Sequence, residues 1–346
     1  MSTTPPTHLE LTPPNITLRP AMLDDCAAVV NLLNICSRAL SGVDEFSVDS
    51  LHGEWTQPGF DLTNSSMTAI DDDNRIVGYI DVWDMQDPPV KPFTFGRVHP
   101  DFRGQGIGTA LLSWAEGRSR QAIDRVPEGA SVAMIAAADY NSADAVQLFT
   151  DRGFTAKRYS WEMSIDLPET PSAVTWPDGI RLVSGDQFND LRAVYAAYRD
   201  AWQDHRGFVA QDEEKGFSLW QHRWTTDPDY DPSFWLLALD GDEIAGVSLC
   251  KNLATEDPDL GWIETLAVRR LWRRRGMGLA LLQASFAEFV RRGLKRGGLG
   301  VDANSLTGAT RLYERAGMTV KSEHTIFEKE LRPGIDLSRQ SMDGGE

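Results

Sequence analysis

The chain has 346 residues and carries 34 Lys and Arg against 51 Asp and Glu, a net charge of −17. So acidic a chain is excluded as a general nucleic-acid binder, because cations on phosphates supply most of that affinity. With 41% hydrophobic residues and three scattered cysteines, Cys26, Cys36 and Cys250, it reads as a globular protein of two-domain length with reduced thiols rather than disulfides.

The six histidines are scattered too, so no metal is expected. The opening MSTTPPTHLELTPP lacks the basic start and apolar run of a signal peptide. Apolar runs such as Trp235 to Leu239 fall far short of the ~20 residues that span a bilayer. A cytoplasmic protein without a membrane partner is the expectation.

In chain order, residues 1–14 are polar and proline-bearing, a flexible tail. ITLRPAMLDDCAAVVNLLNICSRAL predicts a strand and then a helix, with Asp24 or Asp25 near the helix start. Residues 42–62 read as irregular, and Met67 to Val82 as a hairpin around DDDNR. Phe93 to Val98 is a strand feeding a glycine loop, with a helix to about Ala122. A strand near 131–137 and a helix near 142–151 follow. The three prolines of LPETPSAVTWPDG mark a linker over 167–178.

The second half repeats this plan. IRLVSG starts it, 186–202 is helical, and WLLALDGDEIAGVSL is a hairpin around Asp240-Gly241-Asp242. WIETLAV, Trp262 to Val268, is a strand leading into a second glycine loop and an amphipathic helix bearing Leu282, Phe286, Phe289 and Val290. A strand over 298–301, a helix over 308–316 and a closing strand over 319–331 complete it, and 332–346 is a second flexible tail. Arg103, Gly106, Gly108, Leu111 and Leu112 each stand 170 positions before Arg273, Gly276, Gly278, Leu281 and Leu282. LFTDRGF at 148 matches LYERAGM at 312. Ordered matches at nearly one offset indicate an internal duplication. The expected fold is α+β (mixed α/β), with domains over 15–166 and 179–331, each a mixed, mostly antiparallel sheet flanked by helices.

Strand, glycine loop, helix aims free backbone N–H groups and a helix N-terminus at a phosphate. Neither loop has the Gly-Lys-Ser/Thr of a Walker loop, and neither half has the βαβ run that a dinucleotide fingerprint requires. Both do have Arg-x-x-Gly-x-Gly. Arg103–Gly106–Gly108 and Arg273–Gly276–Gly278 resemble the acyl-coenzyme A loop of the GNAT superfamily of N-acetyltransferases. Asn304 followed by LYERAGM resembles that superfamily's second motif, and VDANSLTGATRLYERAGM in a two-copy chain resembles tandem acetyltransferases of the mycothiol-synthase type. Asn304 lies nine positions before Tyr313, whereas Asn141 lies eight before Phe149, so the second loop is longer.

The resemblance covers residues 15–331. It implies acetyl-CoA as co-substrate, its pyrophosphate on backbone amides from about Arg274 through Arg275, Gly276, Met277 and Gly278 to Leu279, with Arg273 and Asn304 also in the cofactor-binding set. Its pantetheine arm would run along Leu266, Ala267 and Val268, with the Val268 N–H as oxyanion donor. Val98, Arg103, Gly104, Gly106 and Gly108 would be the matching set in the first half. The competing reading of the arginines is a solvated basic face or a nucleic-acid patch.

The resemblance also places Tyr313 as the acid that protonates the leaving thiolate, against an ordinary packed aromatic, and Glu264 as the base toward the amine, against a solvent-facing carboxylate. The first half has Phe149 and Thr94 at those positions. The C-terminal domain is therefore expected to be catalytic and the N-terminal one not. The acceptor, a primary amine of a small molecule such as a mycothiol precursor or an aminosugar, is expected over AWQDHRGFVAQDEEKGFSLWQHRW, which bears Trp202, Asp204, His205, Phe208, Asp212, Glu213, Trp220 and His222. Its alternative is an amphipathic helix with a packed aromatic stripe. The whole is expected to act as a monomer or homodimer. The rival function is a non-catalytic acyl-CoA-binding or regulatory protein.

Overall fold

The computed structural model describes residues 11–139, 141–171, 173–253 and 257–340. In chain order the strands are β1 (Ile16–Arg19), β2 (Ser66–Asp71), β3 (Ile76–Trp83), β4 (Phe93–Val98), β5 (Val132–Asp139), β6 (Thr155–Asp166), β7 (Ile180–Ser184), β8 (Trp235–Asp240), β9 (Glu243–Asn252), β10 (Leu260–Val268), β11 (Arg296–Asp302) and β12 (Thr319–Arg332). The helices are α1 (Cys26–Leu40), α2 (Val48–Trp55), α3 (Leu62–Ser65), α4 (Ile107–Arg120), α5 (Ala143–Asp151), α6 (Gly185–Phe188), α7 (Leu191–Trp202), α8 (Glu213–Thr225), α9 (Met277–Arg291) and α10 (Ala309–Arg315).

Two compact units result. One comprises the chain up to Lys157 with Thr325–Leu337; the other comprises Arg158–His324 and the residues from Ser338. Most of β6, placed with the first half by its position in the repeat, thus belongs to the second unit, where Ser160–Asp166 pair antiparallel with β11. The 167–178 segment, expected as a linker, also lies within the second unit's span.

In the first unit the order is β1-β2-β3-β4-β5, antiparallel except for β4 with β5. Side chains alternate across a strand. Tyr79 therefore packs with Leu32, Leu33 and Cys36 of α1 and Trp55 of α2, while Gly78 receives Ile107 and Leu111 of α4 on the other face. Residues 42–62, expected to be irregular, contain α2. Ser47 caps it by accepting from Ser50 N at 3.1 Å, a serine signal set among too few apolar repeats to show a period.

The second unit runs β6-β11-β10-β9-β8-β7, antiparallel except for β10 with β11. Leu237 and Leu239 pack against α7 and α8, and Ala238, between them, packs against Met277 and Leu281 of α9. The helix expected over 186–202 is two, α6 and α7, because Asn189 adopts a left-handed conformation (φ 51°) that ends the first.

Of the two expected tails, residues 1–10 and 341–346 lie outside the described residues. The described parts are bonded into the fold. Ile335 N donates to Gly129 O and Ser131 N to Ile335 O, both 2.8 Å; Gly207 N donates to Arg339 O at 2.8 Å and Arg339 N to Phe208 O at 2.9 Å. Among the described residues no helix is long and apolar enough to cross a membrane.

Candidate active site

The site is made by two parallel strands that separate. β10 and β11 pair only from Leu260 with Arg296 to Ile263 with Leu299. At the next residue the register between β10 and β9 slips: Ile263 faces Cys250 and Thr265 faces Leu249, leaving Glu264 as the extra residue of a bulge. A bulge bends its strand and raises the local twist. Beyond it β10 stays with β9, β11 stays with β6, and a cavity of about 200 Å³ opens between them, lined in part by Glu264, Leu266, Leu299, Asp302 and Tyr313.

Backbone direction along the freed edge follows from one bond. Arg269 N donates to Ala245 O of β9 at 3.0 Å. Alternation then turns the N–H groups of Leu266 and Val268 away from β9, toward the opening, and Ala267 toward β9. The Val268 carbonyl is already used, accepting from Arg273 Nε at 2.8 Å. Leu266 lines the cavity with Glu264 and Tyr313; Val268 does not.

Beyond Val268 the chain makes a short turn and enters α9. Arg274 (φ 61°) and Gly276 (φ 84°) are both left-handed, and nothing stands within 4 Å of a Cβ placed on Gly276. The first helical bond is Ala280 N to Gly276 O, 3.0 Å, and no side chain caps the helix, so the N–H groups of Met277, Gly278 and Leu279 point outward unpaired. The Met277 side chain is core, so only its backbone serves the loop. Gly278 also serves packing. A Cβ there would come within 3.3 Å of Leu312, so its absence lets α10 lie close on α9.

The arginines divide into two groups. Arg273, expected to hold the coenzyme, spends its guanidinium elsewhere: besides Val268 O it donates to Asp204 Oδ2 (2.5 Å) and Ala201 O (3.0 Å). Arg270 also donates to Asp204, and Arg269 to Asp200. Asp204 is 1% exposed. Hydrogen bonds from Arg270 and Arg273 hold its carboxyl well below the usual range, against burial that pushes it up. Three cations of the basic run, Arg269, Arg270 and Arg273, thus clamp the end of α7 to the end of β10. Arg274 and Arg275 are exposed and make no ion pair among the described residues.

Tyr313, on α10, is 6% exposed, and burial pushes its pKa up to about 12. Its hydroxyl has no hydrogen-bond partner among the described residues, so its proton is uncommitted. Glu264 is engaged by Arg223 of α8. Asn304 sits exposed outside the cavity lining, its backbone N–H donating to Asp302 Oδ1 at 2.8 Å. Of the residues singled out in the expected acceptor segment, Trp202 and His205 line the cavity, stacked with centroids 3.9 Å apart. Burial, then the charge of Arg273, lowers the His205 pKa to about 4, so the ring is neutral at pH 7. Trp220 is core, Asp212 caps α8, and Glu213 pairs with Arg199. The packed-stripe alternative therefore holds for α8. Arg158, Arg206, Ser305 and Thr307 also line the cavity, and no motif marked them.

The first unit repeats the loop but has Thr94 and Phe149 where the second has Glu264 and Tyr313. Gly104 (φ 73°) and Gly106 (φ 89°) match the left-handed pair at 274 and 276, and a Cβ on Gly108 would meet Leu148 at 3.2 Å as Gly278 meets Leu312. Arg103 lies near Cys36, whose thiol donates to Val98 O at 3.4 Å. His99 N donates to Val77 O, so the Val98 N–H also faces the open edge of β4. The β3–β4 register, however, runs from Gly78 with Val98 to Trp83 with Phe93 without a slip, so there is no bulge. Thr94 is buried and donates to Asp81 O at 2.6 Å, and Phe149 packs between Phe154 and Phe327. Leu11 O and Pro13 Cγ come within 3.9 and 3.7 Å of a Cβ on Gly106, so the chain's own described start lies against this glycine.

Comparison with known proteins agrees with this geometry. The family model for the acetyltransferase (GNAT) family matches residues 191–318, and that for the acetyltransferase (GNAT) domain matches 63–156. A mycothiol acetyltransferase of Thermobispora bispora is 30% identical over 226 residues, 64% of this chain and 70% of that relative. One of Salinispora arenicola is 30% identical over 272 residues, 74% and 79% of the two chains. The crystal structure of a GCN5-related N-acetyltransferase from Sphaerobacter thermophilus superposes with a TM-score of 0.75 at 34% identity, covering 94% of this chain and 98% of its own. With both domain models matched in sequence order and full-length likeness to a solved acetyltransferase, the chain belongs to the GNAT acetyltransferase family, as an acyltransferase enzyme with two GNAT domains in tandem.

Proposed function

We propose that the second unit transfers an acetyl group from acetyl-CoA directly to the primary amine of a small molecule, both substrates being bound together. One observation carries this reading: a carboxylate, an unengaged phenol and two free backbone N–H groups meet at the strand separation beside an uncapped helix N-terminus. The N–H groups of 277–279, with Arg274 and Arg275, fit a pyrophosphate, and the freed edge of β10 fits an amide-bearing arm. The Leu266 N–H is the better oxyanion donor, because Leu266 lines the cavity and Val268 does not; the Val268 N–H is left to hold the arm. Glu264, directly or through water, takes the proton the amine loses as it attacks the thioester carbonyl. Tyr313 gives its proton to the departing sulfur. The relatives named mycothiol acetyltransferase make a polar amine acceptor the natural class. We assign the chemistry to the second unit alone and a non-catalytic role to the first.

Calorimetric titration with acetyl-CoA tests the assignment. One site per chain is expected, since Leu11 and Pro13 lie against Gly106 of the first loop. Gly276→Val puts a β-branched residue at φ 84° with no clash beyond the loop, a backbone cost of about 1–3 kcal/mol that should weaken binding at least about tenfold. Gly106→Val should leave the isotherm unchanged. Two sites per chain would return the coenzyme to the first unit, and no binding would sink the acetyl-CoA reading.

A further inference from the structure

Two buried N–H donors line the cavity without a hydrogen-bond partner, Nε1 of Trp202 and Nε of Arg206. A buried donor left unpaired is destabilising, more so when the group is charged, so two on one wall call for an acceptor that comes from outside. The Arg206 guanidinium reaches only the neutral amide oxygen of Gln340, at 3.4 Å, and makes no ion pair among the described residues. A second guanidinium stands beside it: Arg158 Nη1 lies 3.6 Å from a Cβ placed on Gly207. Its contact with Asp302 is long, 3.5 Å. The carboxylates on the lining are already engaged, Glu264 by Arg223 and Asp302 by Arg158, and His205 is neutral. This wall therefore holds one uncompensated cation, Arg206, beside N–H groups that an oxygen-bearing ligand can satisfy.

The coenzyme does not supply that oxygen in the proposed arrangement, because its phosphates have their own cradle at the N-terminus of α9, with Arg274 and Arg275. We propose that the acceptor is a primary amine that also carries an oxyanion, a carboxylate or phosphate, seated on Arg206, Arg158 and the Trp202 indole N–H. Its amine then lies toward Glu264 and Tyr313. The amine end rests on the acetyl-transfer reading above; the oxyanion end rests on the wall alone.

The test uses matched amines with the full chain: L-phenylalanine against 2-phenylethylamine, and glucosamine 6-phosphate against glucosamine. Binding is read by calorimetry with the chain saturated with CoA, and acetyl transfer separately with acetyl-CoA as donor, by thiol release. In at least one pair the anionic member should bind about tenfold more tightly, roughly 1.4 kcal/mol. Arg206→Gln should collapse that ratio without changing the affinity for acetyl-CoA. Trp202→Phe, which keeps the ring and removes only the N–H, should lower the ratio too and serves if the first variant does not fold. Tighter binding of an anionic amine without acetyl transfer would uphold the oxyanion site and sink the proposed chemistry. Equal binding in both pairs would overturn the inference whatever the turnover. So would loss of acetyl-CoA affinity in Arg206→Gln, since the guanidinium would then belong to the coenzyme.

Discussion

Tyr313→Phe should lower turnover about a hundredfold while leaving the affinity for acetyl-CoA within experimental error, a barrier increase of about 2.7 kcal/mol. The substitution is clean. The ring is packed with Leu282, Leu299 and Met318, and the hydroxyl makes no hydrogen bond whose loss would strand a buried partner. Folding stability should therefore be unchanged. With its pKa pushed up to about 12, the phenol is protonated throughout the range in which the protein can be assayed, so a basic limb in the rate profile would not report it. The variant should also respond to the leaving group. An acetyl thioester of a more acidic thiol needs less protonation on sulfur, so the gap between wild type and variant should narrow. An equal rate with acetyl-CoA would remove Tyr313 from the mechanism.

What the sequence showed of this site was its short-range geometry. Arg-x-x-Gly-x-Gly marks the turn because a left-handed position just before a helix demands glycine, and two copies of the motif locate it twice. Even there, residue type hid one fact: Arg274 takes the left-handed conformation that Gly104 takes in the other copy. The Glu264 bulge was not legible, because a register slip depends on which residue of the neighbouring strand is opposite, and WIETLAV alternates in the same way with or without it. β6 went unseen for a similar reason. Its stretch TAKRYSWEMSID carries little apolar alternation, and its pairing with β11 joins residues 130 or more positions apart. The cavity's Arg158 and Arg206 belong to no motif and become a pair only through the fold.

The arginine clamp is where motif and structure part most sharply. Asp204→Asn should lower the stability of the second unit by about 3 kcal/mol, because it leaves the largely buried Arg273 cation facing a neutral amide, with the half-exposed Arg270 adding little. For a unit of this size that corresponds to a drop of roughly 10 °C in Tm. The carboxyl's depressed pKa sets the pH dependence. Its stabilisation is fully present above the unfolded value of ~3.9 and is lost as pH falls below it, so wild type should lose stability on acidification where the variant loses less. Arg273→Gln should also lower the Tm, and the double variant should cost less than the sum of the two single ones, since both remove the Arg273–Asp204 pair. Measured below the transition, Arg273→Gln should keep acetyl-CoA affinity within about fivefold, under ~1 kcal/mol. The opposite pattern, normal Tm with lost coenzyme affinity, would restore Arg273 to the phosphates. With the pattern expected here, the arginine of Arg-x-x-Gly-x-Gly holds the end of β10 to the end of α7, keeping the freed strand edge and the cavity wall in register with the loop.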